Sequence, residues 1–109
     1  MELHCEGNQL GDLDIRQNPK LRELHCAKNR LTVLKIHDYP KLYLLDCSYN
    51  ELTGLEVASP ALYRVECQYN KLESVVIKTQ SSLQLSCDHA VKEYVEAGND
   101  DITIERYEN

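Results

Sequence analysis

Leu21-Arg22-Glu23-Leu24-His25-Cys26-Ala27-Lys28-Asn29-Arg30-Leu31-Thr32-Val33-Leu34-Lys35-Ile36 decides the fold. The apolar slots of its repeat are Leu21, Leu24, Cys26, Leu31, Leu34 and Ile36, a spacing that fits neither a 3.6-residue nor a simple two-residue period. Alternation is confined to Leu24-His25-Cys26, enough for a short strand. The remaining apolar residues must turn inward from a return path. The phrase recurs along the chain. Cysteines stand at 5, 26, 47, 67 and 87, and an asparagine follows the first four at Asn8, Asn29, Asn50 and Asn70. Two residues further on come Leu10, Leu31, Leu52 and Leu72. A period near 20 residues is the signature of a solenoid, in which each turn buries its apolar face against its neighbours.

The spacing divides the chain into turns 1–20, 21–41, 42–61, 62–81 and 82–87. Each complete turn predicts one short strand, a bend, and an extended or 3₁₀ return, with strands stacked in a parallel sheet about 5 Å apart. Asparagine at the bend offers two donors and an acceptor to backbone groups that have left the ladder. Pro19, Pro40 and Pro60 end turns one to three, where proline is expected to hold the chain extended. After Cys87 the asparagine slot is Ala90 and the leucine slot Lys92, so the pattern is expected to stop. Residues 88–109 are expected to form a helix and strand cap: a helix from Asp88 to about Ala97 ended by Gly98, with Val91, Tyr94 and Val95 on one face, then a strand at Ile102-Thr103-Ile104.

The phrase L-x-x-L-x-C-x-x-N-x-L-x-x-L resembles the leucine-rich repeat family, in a bacterial, internalin-like form with about 21 residues per turn and a cysteine ladder. The resemblance spans Leu3 to Cys87. It implies a curved, right-handed α/β-type repeat solenoid with its strands on the concave face, and protein binding as its use. Two departures from the pattern, no amphipathic cap read before Leu3 and no wall anchor or secretion signal read in the sequence, set the expectation against a secreted, surface-attached protein.

Composition narrows the function. The 109 residues carry a net charge of −6, which argues against nucleic acid and anionic membranes as direct partners. No apolar run is long enough to span a membrane and no signal peptide is visible, so a cytoplasmic location is expected, or a secreted one if the chain is part of something longer. The odd count of five cysteines, each in an apolar slot, predicts free, reduced thiols rather than a disulfide framework.

If strand positions before and at the cysteine point inward alternately, the residues between them point out. The outward columns are then Glu2, Glu23, Leu44, Arg64, Gln84; His4, His25, Asp46, Glu66, Ser86; and Glu6, Ala27, Ser48, Gln68, Asp88, with Met1, Arg22, Tyr43, Tyr63, Leu83 on one rim and Gly7, Lys28, Tyr49, Tyr69, His89 on the other. Tyr43, Leu44, Asp46, Tyr49, Tyr63, Arg64, Glu66 and Tyr69 form the candidate partner-binding patch, because tyrosines give rigid contact area with a polar tip. Stacked identical residues also stabilise neighbouring strands without any partner.

His4 and His25, near Glu2, Glu6 and Glu23, have metal-ligand chemistry, but surface histidines are the simpler reading and no metal or cofactor is expected. Cysteines in apolar slots are inert, and no phosphate loop, Cys-x-x-Cys or nucleophile motif occurs, so no catalysis is expected. The expected function is a non-catalytic protein-interaction module. An acidic inhibitor that mimics nucleic acid through Glu2, Glu6, Glu23, Asp46, Glu66 and Asp88 is the alternative, and a structural piece of a longer array is a third. The uncovered strand edge at Leu3, Cys5, Leu10 and Leu13 also allows a homodimer.

Overall fold

In the computed structural model, which describes residues 1–16 and 18–108, the chain is a parallel β-solenoid of about five turns. Gln17 and Asn109, in the expected first turn and cap, lie outside the described residues. Ten strands follow in order: β1 Glu2–His4, β2 Glu23–His25, β3 Val33–Ile36, β4 Leu44–Asp46, β5 Gly54–Ala58, β6 Arg64–Glu66, β7 Ser74–Lys78, β8 Leu83–Asp88, β9 Lys92–Glu96 and β10 Ile102–Tyr107. They build two parallel sheets, β1-β2-β4-β6-β8-β10 and β3-β5-β7-β9. One 3₁₀ turn, Gly98–Asp100, is the helix content of the described residues, and no helix there is long and apolar enough to cross a membrane.

The return path is therefore a sheet of its own. Its inward residues are Leu34, Leu55 and Val75 in one register column and Ile36, Val57 and Ile77 in the next. Facing them are Leu24, Leu45, Val65 and Leu85, with Cys26, Cys47, Cys67 and Cys87, all buried. Leu21, Leu42 and Leu62 fill one corner and Leu31, Leu52 and Leu72 the other. Burying a leucine contributes about 1.5–3 kcal/mol, so this column of aliphatic side chains is the main source of stability.

Two polar ladders close the corners. Asn29 Nδ2 donates to the carbonyls of Cys5, Cys26 and Ala27, while its Oδ1 accepts from Asn8 N and Leu10 N. Asn50 and Asn70 repeat this one turn on, accepting from Leu31 N and Leu52 N and donating to Cys26 and Cys47 carbonyls upstream as well as to their own turns. At the opposite corner Pro19, Pro40 and Pro60 occupy the second position of β-turns closed by Leu21 N to Asn18 O, Leu42 N to Tyr39 O and Leu62 N to Ser59 O. Proline presets the φ that this position needs, so its task is to turn the chain rather than extend it. Ser59 Oγ donates to the carbonyls of Tyr39 and Leu42, and Thr79 Oγ1 to those of Pro60 and Leu62.

The expected helix over 88–97 is absent. Residues Lys92–Glu96 form β9, paired in register with β7, and Asp88 ends β8 instead of capping a helix. Val91 is buried and Val95 half-buried, but by strand alternation, with Tyr94 pointing out at 60% exposure. The coil thus continues past Cys87, and the strand expected at 102–104 extends to Tyr107 against β8. Gly98 is the point of closest approach: a Cβ there would lie 2.2 Å from the Gln80 carbonyl oxygen. Glycine stands there for lack of space, not to end a helix.

Candidate functional site

The first sheet aligns two outward columns, Glu2, Glu23, Leu44, Arg64, Gln84, Thr103 and His4, His25, Asp46, Glu66, Ser86, Glu105. The strand register is set by the inward leucines and cysteines, because a slip by one residue would turn each apolar side chain to solvent.

The third expected column is not outward. Ala27, Ser48, Gln68 and Asp88 are buried, leaving only Glu6 exposed. The chain turns off the sheet just after the cysteine, so these side chains fold beneath the bend. Asp88 is spent there, its two carboxylate oxygens accepting from Tyr69 N at 2.6 Å and Asn70 N at 3.0 Å. It adds nothing to an acidic surface. Gln68 Oε1 is buried without a hydrogen-bond partner among the described residues. On the rim, Leu83 is buried at 1% exposure, because β8 alternates through Leu83, Leu85 and Cys87, where earlier turns step three residues, as from Leu21 to Leu24.

The tyrosine pairs form as the spacing predicts. Tyr43 and Tyr63 stack with centroids 5.5 Å apart at 14°, and Tyr49 and Tyr69 stack at 4.5 Å and 15°. Tyr49 and Tyr63 are exposed, while Tyr43 and Tyr69 are half-buried. Tyr43 donates its hydroxyl to Glu23 Oε2 at 2.5 Å, and this bond pushes the phenol up and holds the Glu23 carboxyl below its usual range. Lys28 Nζ lies 5.8 Å from the Tyr49 ring centroid, within cation–π range. Between the pairs, Leu44 is half-buried, Asp46 accepts from Ser48 N and Oγ, and Arg64 lies 3.7 Å from Glu66. The sequence reading missed Tyr107, which joins Tyr69 in a tilted contact at 5.8 Å. The alternation Ile102-x-Ile104 carried on through Arg106 and Tyr107 is the signal that would have found it.

Tyr49 and Tyr69 have an unusual backbone. With Gly7 and Lys28 they occupy the residue before each ladder asparagine, and all four have positive φ: 73° at Gly7, 59° at Lys28, 55° at Tyr49 and 59° at Tyr69. The left-handed region costs an ordinary L-residue about 1–2 kcal/mol, and glycine next to nothing. Turn one carries glycine at this place; turns three and four carry tyrosine.

The cysteines are free, Cys5 half-buried and the other four buried. Burial pushes every one of these thiols upward. Thiols held protonated inside an apolar stack are poor nucleophiles and poor metal ligands. A groove of ≈ 640 Å³ lies at the proline corner, lined by His37, Tyr39, Pro60, Lys78 and Glu96 among others. No known family model, curated protein or solved structure matches this chain.

Proposed function

We propose that the chain is a protein-interaction module of the leucine-rich-repeat type, which holds a partner protein on the outer face of its first sheet, a concave face in that type of repeat. The contact is centred on Tyr43, Leu44, Asp46, Tyr49, Tyr63, Arg64, Glu66 and Tyr69, with Tyr107 at its edge. The observation that carries the reading is the two stacked tyrosine pairs, which leave Tyr49 and Tyr63 exposed on either side of Leu44, Asp46, Arg64 and Glu66. Exposed aromatic rings on a stiff sheet face are the usual anchors of a protein contact. The left-handed backbone of Tyr49 and Tyr69 belongs to the bend itself, since Lys28 shares it. The mixed charges of Asp46, Arg64 and Glu66 suit a partner with both signs on its surface. Such a module acts by complementarity on a stiff scaffold, and a few aromatic anchors set the affinity.

The test is capture of partner proteins from lysate of the source by the parent chain and by Tyr49→Asn/Tyr69→Asn. Asparagine tolerates the left-handed backbone, so the variant keeps its fold, checked by thermal melting. Proteins retained by the parent at both low and high salt, and lost by the variant, support the reading. Equal retention by the two chains sinks it. Retention that collapses as salt rises points to the acidic column as a mimic of nucleic acid instead.

A further inference from the structure

The other end of the same sheet face carries a different chemistry. β1 and β2 pair so that Glu2 stands beside Glu23 and His4 beside His25. The two imidazoles stack with centroids 4.2 Å apart and planes 9° from parallel. His4 Nε2 lies 2.8 Å from Glu2 Oε1, and His25 Nε2 lies 3.0 Å from Glu23 Oε1. Ligand atoms from Glu2, His4 and His25 all lie within 4.8 Å of one another. Two imidazoles and a carboxylate converge here from strands 21 residues apart in the chain, in the column that the repeat spacing gives them.

We infer that Glu2, His4 and His25 form a binding site for a divalent transition cation of the zinc class. Tetrahedral zinc takes nitrogen and oxygen ligands at 2.0–2.2 Å, which sets donors about 3.4 Å apart. Contraction from 4.8 Å is within reach of side-chain rotation on a paired backbone. The side chains of His4 and Glu2 are 51% and 52% exposed and free to rotate, which the stacked rings require, since their lone pairs lie side by side rather than converging. His25 is the fixed member, at 21% exposure, and the Glu23 carboxylate beside it is itself held by the Tyr43 hydroxyl. Glu23 holds Nε2 of His25, so that ring would offer Nδ1 to the cation while the carboxylate orients it through the other nitrogen. The mixed imidazole and carboxylate set suits zinc, cobalt or nickel, whereas calcium and magnesium take all-oxygen sites. The cysteine ladder contributes nothing: Cys26 is buried, half-buried Cys5 packs against the core, and neither thiol belongs to the cluster.

The simpler reading is a pair of His–Glu hydrogen bonds that stabilise two strands. The chain contains its own reference for that case: His37 and Glu56 pair at 2.9 Å on the second sheet, with no second imidazole. Zn²⁺ is titrated calorimetrically into the full chain, kept in a non-chelating reductant, for the parent, His37→Ala, Glu2→Gln, His4→Ala and His4→Ala/His25→Ala. The parent and His37→Ala should bind alike; Glu2→Gln and His4→Ala should bind at least ~10-fold more weakly; the double variant should show no heat. Co²⁺ loading of the parent should give a spectrum without thiolate charge transfer. Parent affinity retained by His4→Ala, no binding by the parent, or a thiolate band on Co²⁺ loading would each overturn the site. His4 is exposed, so its removal tests the site even if the double variant fails to fold.

Discussion

The bend after the cysteine is built in two ways. In turns two to four a left-handed residue precedes an asparagine, and that asparagine donates to three carbonyls and accepts from the turn above. In turn five the left-handed residue and the asparagine are both missing: β8 runs straight through Asp88, and the Asp88 carboxylate accepts from Tyr69 N and Asn70 N. The repeat needs an acceptor for the backbone of the turn before, and either side chain provides one. Only asparagine also donates, and it is therefore the one that ties a turn both to its predecessor and to itself.

This contrast sets the largest expected effect. Asn50→Ala leaves the buried N–H of Leu31 without an acceptor and takes one of two donors from each of the carbonyls of Cys26, Cys47 and Ser48, which keep Asn29 Nδ2, Asn70 Nδ2 and Lys28 N. At about 1–3 kcal/mol for one unsatisfied buried N–H, with three carbonyls reduced to a single donor besides, the loss should reach about 3 kcal/mol. Asp88→Ala leaves two N–H groups without an acceptor, but in half-buried residues that water can reach, and should cost less than the loss at fully buried Leu31. Urea melts of the two variants, compared at equal slope, check the order. Equal losses would mean that Asn50's donated bonds contribute nothing, and that the two corners are equivalent after all.

The same contrast shows what could be read from the chain. The cysteine, asparagine and leucine spacing reveals the solenoid and the sheet that holds the tyrosines, because each slot has one physical solution repeated in register. The second sheet was legible as well, in Leu34-x-Ile36, Leu55-x-Val57 and Val75-x-Ile77, but three-residue alternations are weak when each stands alone. Turn five was misread because its residues do the same tasks in different places. Aspartate at 88 acts for asparagine at 90, and Asp88 ahead of Val91, Tyr94 and Val95 imitates a capped helix. Long-range pairing of β9 with β7 overrides that local pattern. The burial of Ala27, Ser48 and Gln68 was hidden for a different reason: where a strand leaves its sheet is a property of the bend, not of alternation.

A second way to sharpen the comparison lies at the proline corner. Turns one to three close it with proline; turn four has Gln80, and Gly98 of the next turn packs on its carbonyl. Gly98→Ala forces a Cβ to within 2.2 Å of that oxygen, which backbone must yield. Overpacking of this kind costs about 1–3 kcal/mol. The expected damage is local: hydrogen exchange should speed up in β9 and β10 while β2, β4 and β6 keep their protection. Uniform loss of protection would mean that turn five folds as one unit with the rest.

The smallest effect concerns the end of the coil. Strand register sets Arg106 in the cysteine column, beside Cys87, where every earlier turn has a thiol. Its guanidinium reaches Glu93 Oε2 at 2.6 Å and the Val91 carbonyl at 2.9 Å, and Glu93 in turn takes the column of Leu34, Leu55 and Val75. A charged pair thus stands across the core here, where the inner turns have apolar side chains. The hydrogen bond from Arg106 holds the Glu93 carboxyl below its ordinary range. A carboxyl depressed in the folded state contributes stability that is fully present above its unfolded pKa and is lost as pH falls through the folded value. Both side chains are about one-third exposed, so screening keeps the contribution to no more than about 1 kcal/mol. Glu93→Gln should therefore lower the melting temperature slightly at neutral pH and leave it unchanged in acid, with the parent and variant curves converging below about pH 4. Curves that stay parallel throughout would assign Glu93 a packing role alone, and leave the Arg106 bonds to the Val91 and His89 carbonyls as the contact that holds the last strand.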